Sequence, residues 1–198
     1  MDDTTLITWG NSATENCYRL IRAHKKCVAW VKRFRAKFAP EKYQLIHFTK
    51  QRKVIEDLKA TIKINNQEAE LVPALRVLGV WLDPSLSWKE HINKMASKGE
   101  EAFKALARIL ALTWGISVRK SKLIYSAVVR LIITYGAQIW ATQPDGSTIT
   151  PTKITPIQKV QNKCLRKILG TYKRTLVKAL EKECEIPPLN LYINSLTL

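Results

Sequence analysis

Apolar positions recur along this chain with two different periods, and the change between them falls near residue 83. Cys17, Leu20, Ile21, His24, Cys27, Val28, Val31 and Phe34 repeat at i, i+3, i+4, i+7, which predicts a helix with one apolar stripe running to about Lys37. Ser12-Ala13-Thr14-Glu15 ahead of it is a capping box, in which the two polar side chains satisfy free N–H groups at the helix start. Before the box, Leu6–Trp9 reads as a short strand ended by Gly10. Pro40 closes the helical stretch and Tyr43–Thr49 reads as a buried strand. Thr61–Ile64 and Ala69–Val72 flank Asn65-Asn66-Gln67-Glu68, the pattern of a hairpin. Leu75–Leu82 is expected to be one further strand, with Gly79 in its interior marking a bulge or the close approach of another backbone.

Beyond Asp83-Pro84 the period is helical throughout. Ser87-Trp88-Lys89-Glu90 is a second capping box, opening a helix with Ile92, Met95, Phe103, Leu106, Ile109 and Leu110 and ending at Gly115. Ser117 starts a strongly apolar helix through Leu123, Ile124, Val128, Leu131, Ile132 and Tyr135. Gln143–Thr155 is a loop, and Thr155-Pro156-Ile157-Gln158 is a third capping box with proline at the first helical position. That helix ends at Gly170, and a last one covers Leu176–Cys184 before Pro187-Pro188. The expected class is α+β to about residue 83 and all-α afterwards.

Charge narrows the function classes. The chain has 198 residues, 46% of them apolar, and a net charge of +17 from 33 Lys+Arg against 16 Asp+Glu. That length supports a real core, and a globular chain this basic meets a polyanion, nucleic acid by default. Asn16–Pro40 and Pro151–Leu180 each hold eight basic residues and no acid, and Ala102–Pro144 holds six and none. A membrane surface is the competing partner, but no lipidation motif accompanies it, and the most apolar stretch, Leu123–Tyr135, is short and interrupted by Arg130. Cys17, Cys27, Cys164 and Cys184 form no CxxC and read as free thiols, with an intracellular location, nucleus or cytoplasm, to match. Cys17, His24 and Cys27 share a helix face, but zinc needs a fourth ligand and closer spacing, so burial is the better account of them. His47 and His91 read as structural.

The first residues carry the sharpest chemistry. Asp2 and Asp3 are paired carboxylates followed by a short apolar strand. Asp2-Asp3 looks like the second half of an aromatic-x-Asp-Asp turn, although Met1 stands at x; the plain alternative is an acidic tail. Further stretches are Phe38–Thr49, Leu78-Gly79-Val80-Trp81-Leu82-Asp83 with Leu86, Trp88, His91 and Ile92, then Tyr135-Gly136-Ala137 with Trp140, Gln161–Arg166, and Glu185-Ile186-Pro187-Pro188-Leu189. In that order they resemble the reverse transcriptase of non-LTR (LINE-type) retrotransposons, fungal type, over essentially the whole chain.

The resemblance implies the end of a polymerase palm in residues 1–83 and a helical thumb and connection region in 84–198. It implies that Asp2 and Asp3 are catalytic and hold Mg²⁺, a hard cation whose paired ions clamp the attacking and leaving oxygens. It implies that Lys42 neutralises the incoming nucleotide, where the plain reading is an exposed lysine at a strand start. Leu78, Gly79 and Val80 match the primer grip. Fingers and the palm strand bearing a further metal-binding aspartate are not encoded, so the expectation is a polymerase fragment that is inert alone and needs no Mg²⁺ itself. The alternative is a basic RNA- or DNA-binding protein derived from a retroelement, without catalysis. A third reading keeps only a basic α+β protein with an acidic protein partner. From the residues themselves, Lys159, Lys163, Arg166 and Lys167 fall on one helical face at i, i+4, i+7, i+8, and Lys173 and Arg174 follow. Such a face grips a duplex backbone without reading sequence. Trp88, Trp114 and Trp140 are candidates for base stacking, with a core role favoured for at least two. Open palm strands would permit self-association.

Overall fold

The computed structural model describes residues 4–49, 56–64, 67–107, 116–142 and 149–197. They form two compact units, Met1–Ser87 and Trp88–Leu198. The class is α+β: among the described residues, short strands are confined to the first unit and the second is helical. Asp2, Asp3, Trp114, Gly115 and the Asn65-Asn66 turn lie outside the described residues.

In the first unit, helix α1 (Ala13–Arg33) starts at Ser12, whose Oγ accepts the Glu15 N–H at 3.1 Å. The reciprocal half of the expected box is not made, because the Glu15 carboxylate turns to Arg19 at 2.5 Å instead. The helix stops at Arg33, short of Lys37. Arg35 takes a left-handed backbone (φ 54°), and its N–H and that of Ala36 bond back to the Lys32 and Val31 carbonyls. This is the Schellman closure, here without a glycine. Pro40–Lys42 forms one 3₁₀ turn.

Among the described residues, six short strands pair in twos. Strand β1 (Gln44–Leu45) lies parallel to β4 (Glu70–Leu71), with Leu45 opposite Leu71. Strand β2 (Lys63–Ile64) is antiparallel to β3 (Gln67–Glu68). The expected hairpin therefore splits: its second arm pairs back for two residues, then passes through Ala69 to pair with β1. Leu75–Leu82 is not one strand but a hairpin, β5 (Leu75–Val77) against β6 (Val80–Leu82). Its two-residue turn is Leu78-Gly79, both with positive φ (47° and 85°), as tight hairpins require. Cys17, Leu45, Ile62 and Ala69 form the small core, with Leu20, Ile21 and Tyr43 packed on it.

In the second unit, α2 (Lys89–Ala107) begins after Trp88, whose carbonyl accepts the Ile92 N–H; Trp88 itself has φ 65°. Helix α3 (Val118–Ile124) runs through a π-helical turn at Tyr125–Val129 into α4 (Arg130–Ile133). Gly136 (φ 68°) then turns the chain into the short α5 (Ala137–Trp140). Helix α6 (Thr155–Leu169) is capped at Ile154, not Thr155, and the proline occupies the second helical position. It closes at Gly170 (φ 63°) in a Schellman motif, with Thr171 N–H on the Arg166 carbonyl at 3.0 Å. Helix α7 (Val177–Glu183) follows, and Glu185 (φ 49°) closes it in the same way. Beyond Pro187-Pro188 lies a helix the sequence pattern did not suggest, α8 (Leu189–Thr197), which buries Leu189 and Ile193 completely. These join Tyr125, Val129, Ile133, Ile157, Cys164, Leu165 and Leu180 in one continuous core. None of the described helices is long and apolar enough to cross a membrane.

Candidate nucleic-acid interface

Helix α6 divides its residues by face. Ile157, Val160, Gln161, Cys164, Leu165 and Ile168 are buried, so Lys159, Lys163, Arg166 and Lys167 are left toward the outer side. Their environments differ. Lys159 is exposed and lines a cavity of about 370 Å³ with Pro151, Ile154, Thr155, Gln158, Asn162 and Asn190. Gln158 donates to Asn162 across that cavity wall at 3.0 Å.

Lys163 is exposed too, but its ammonium meets Glu100 of α2 at 2.8 Å. The hydrogen bond from Lys163, then its charge, holds the Glu100 carboxyl below its usual value. The Pro151–Leu180 block has no acid in sequence, yet the fold supplies one. Arg166 is half-buried and faces inward: its guanidinium donates to the carbonyls of Asn162 and Thr175, both at 3.3 Å. It holds the α6–α7 loop closed. Lys167 is half-buried. The loop itself presents Tyr172, Lys173 and Arg174, all exposed, Tyr172 at 88%. The structure thus brings Lys159 and the Lys173-Arg174 pair to solvent and commits Lys163 and Arg166 to internal contacts. Arg119 and Lys120 on α3 are exposed as well, and sequence reading did not single them out; their only signal was membership of an acid-free block.

In the first unit, Lys42 is exposed at the end of the 3₁₀ turn, its N–H on the Ala39 carbonyl. Leu78 is exposed at the hairpin tip with Gly79, while Val80 is buried. Asp2 and Asp3 lie outside the described residues, and among the described residues no three His, Cys, Asp or Glu side chains are grouped to hold a metal ion.

The remaining candidates fall into structural positions. Cys17 is buried, and His24 shares a hydrogen bond with the Tyr43 hydroxyl at 2.8 Å, its proton affinity lowered by burial. His91 is fully buried with Nε2 3.0 Å from the Tyr135 carbonyl; burial lowers its pKa, the backbone bond opposes, and the Lys98 charge lowers it further. His47 bonds the Ala60 carbonyl at 2.8 Å. Trp140 is buried with its N–H on the Tyr135 carbonyl, and Trp88 packs on the same core. Burial pushes the Cys164 thiol up to about 12, the pattern of an inert structural cysteine.

No family model matches the chain, and no solved structure matches it. Two curated proteins of Drosophila melanogaster are similar to it. One is described as a probable RNA-directed DNA polymerase from transposon BS, 25% identical over 167 residues, which is 84% of this chain and 18% of that protein. The other is a 115 kDa protein described in the type-1 retrotransposable element R1DM, 26% identical over 80 residues, 40% of this chain and 8% of that protein. The chain therefore spans less than a fifth of the length of either relative, and it is similar to the proteins of retrotransposable elements.

Proposed function

We propose that this chain is part of a non-LTR (LINE-type) retrotransposon reverse transcriptase, of fungal type: the end of the palm in residues 1–83 and the thumb in residues 84–198. The observation that carries the reading is the similarity to the transposon BS protein along 84% of the chain. The exposed basic groups support it. Lys159, Lys173 and Arg174 reach solvent on one helix and the loop that follows it, where phosphates are their natural counter-ions. In this reading the thumb grips primer–template duplex, RNA or DNA, through its backbone and without regard to sequence. Lys163 and Arg166 contribute by fixing α6 and its loop. The Leu78-Gly79 turn is a primer grip, where a hairpin tip without bulk at Gly79 lets backbone approach backbone, and Lys42 faces the nucleotide phosphates.

Mg²⁺ belongs to the intact enzyme. The described residues of this chain do not form a site for it, so no catalytic step is assigned to them. In this reading the chain is a binding element that does not extend primers by itself. Two measurements test the reading. Duplex affinity should fall with salt, by about 0.9 in the slope of log K for each phosphate neutralised. Primer extension on an RNA template with Mg²⁺ should be absent; robust extension lost in Asp3→Ala would overturn the assignment of an inert binding element.

A further inference from the structure

The outer face of α1 carries a feature that the thumb grip does not use. Tyr18, Arg22, Lys26, Trp30 and Phe34 succeed one another at intervals of four, a ridge that winds across the outer side of the helix to its cap, each residue turned about 40° from the last. The aromatics are open to solvent: Tyr18 is 71% exposed, Trp30 60% and Phe34 65%. Trp30 and Phe34 lie together, ring centroids 4.8 Å apart and tilted by 48°. Trp9 is held near the start of the row, because Arg19 donates to its carbonyl at 2.6 Å, and it is 81% exposed. Arg22 and Lys26 within the row, and Lys25, Lys32 and Arg33 beside it, are exposed and without an ion pair among the described residues. No acid occurs between Asn16 and Pro40.

Neither half of this pattern is explained alone. A face meant for water has no use for four exposed aromatic rings, and a face meant for an apolar protein surface would not bring five unpaired cations with it. A ligand that is both a polyanion and a series of π-faces satisfies both. We propose that this face of α1 binds single-stranded nucleic acid, its bases stacked on Trp30, Phe34, Tyr18 and Trp9 and its phosphates held by Arg22, Lys25, Lys26 and Arg33. A duplex does not fit as well, because its bases are already stacked on each other and offer only edges. From Tyr18 to Trp30 the helix rises about 18 Å and turns by about 120°, so a stacked strand needs at least roughly five nucleotides to follow the ridge. The row ends at Tyr18 beside a recess of about 300 Å³, lined also by Thr14, Cys17, Ile21, Ala60, Thr61 and Lys63. That recess has an aromatic wall and a lysine at its rim, and it takes a terminal or turned-out base. This surface stands on its own residues and does not depend on the α6 reading.

The test uses the full chain and fluorescently labelled oligothymidylate of fifteen nucleotides, beside a duplex of the same length. Trp30→Ala with Tyr18→Ala should weaken binding of the single strand about tenfold or more, since a stacked base contributes that much, and change duplex affinity less than twofold. Trp30→Phe should restore most of the loss, because it keeps the ring. Arg22→Gln with Lys26→Gln should weaken the same complex and flatten its salt dependence. All these positions are exposed, so the variants keep the helix. Single-strand affinity unchanged in the aromatic pair would overturn the proposal. So would an equal loss on single strand and duplex, or Trp30→Phe as damaging as Trp30→Ala. A change in oligomeric state with unchanged single-strand affinity would assign the face to a second copy of the chain instead.

Discussion

Lys163 of α6 and Glu100 of α2 form an ion pair at 2.8 Å, joining residues 63 positions apart in the chain. Glu100 also takes Lys104 at 3.9 Å, one turn away. The pair holds a lysine one turn from Lys159 on the same helix. An exposed pair of this kind is worth less than about 1 kcal/mol to stability, so its consequence lies in binding. Glu100→Gln should free Lys163 and remove a repelling charge, which tightens duplex binding and steepens its salt dependence. Lys163→Ala should cost less affinity than Lys159→Ala or Lys173→Ala. Salt titrations on the four proteins check both statements; a larger loss from Lys163→Ala would mean that Lys163 leaves Glu100 for phosphate.

The Leu78-Gly79 turn holds a leucine in the left-handed region at φ 47°. A non-glycine residue there costs roughly 1–2 kcal/mol, and Leu78 recovers none of it by burial, being exposed. Leu78→Asn should therefore stabilise the hairpin, since Asn-Gly is the preferred pair for such a turn. Gly79→Val should do the reverse, because φ 85° excludes a branched side chain. Hydrogen exchange of the Leu75–Val77 and Val80–Leu82 amides reads both changes. If Leu78 is a primer-grip residue, Leu78→Asn will in addition alter affinity for a primer–template end while leaving blunt duplex binding unchanged.

What the sequence disclosed and withheld follows from the kind of signal each element carries. Helix starts were legible where a polar cap stands first, as at Ser12, and less so at α6, where Ile154 caps without a side-chain bond. Helix ends divide by residue type. Three helices close with the same Schellman bonds, but only Gly170 announces it; Arg35 and Glu185 adopt the left-handed position without the glycine that would mark it. Hence the apolar stripe runs past the end of α1 at Arg33. The hairpin at Leu78-Gly79 was hidden for the same reason, since a leucine at the first turn position looks like strand interior. Helix α8 follows two prolines and has no charge pattern, so only its packing on the core reveals it. For the binding face, i, i+4 spacing locates the lysines, but it cannot show that Glu100, remote in sequence, engages Lys163, or that the Thr175 carbonyl of the following loop engages Arg166.

Gly99 of α2 sits against Ile133 of α4 so closely that a Cβ at position 99 would overlap the isoleucine Cγ2. Ile133 is fully buried and has no room to withdraw. Gly99→Ala gains up to about 1 kcal/mol of helix propensity and meets an overpacking cost of roughly 1–3 kcal/mol. The net expectation is a lower denaturation midpoint. Ile133→Ala should be destabilising by itself, by about 2–5 kcal/mol, but the double variant should be more stable than the sum of the two single losses. Strict additivity in urea denaturation would mean that α2 and α4 move apart instead.

The buried polar chain Tyr125–Gln161–Glu181 gives stability a definite pH dependence. The Tyr125 hydroxyl donates to Gln161 Oε1 at 2.7 Å, and Gln161 Nε2 donates to the Pro187 carbonyl at 3.4 Å and to Glu181 Oε1 at 3.5 Å. Burial pushes the Glu181 carboxyl above its usual value, and the hydrogen bonds from Gln161 and Gln158 and the charge of Lys178 only partly oppose this. A carboxyl raised in the folded state loses its proton first in the unfolded chain. Between the ordinary value and the raised one the folded protein holds more protons, so stability falls as pH climbs through that window and stays reduced above it. Glu181→Gln keeps an acceptor for the Gln161 amide and removes the charge. It should raise the thermal midpoint at pH 7 and leave it nearly unchanged near pH 4. Tyr125→Phe should act differently: it leaves Gln161 Oε1 buried without its donor, at about 1–3 kcal/mol, and the loss should be the same at both pH values. Thermal melts of the three proteins at pH 4 and 7 separate the effects. If Glu181→Gln lowered the midpoint at pH 7, the ionised carboxylate would be a net favourable partner of Gln161, and the direction of the pH dependence would reverse.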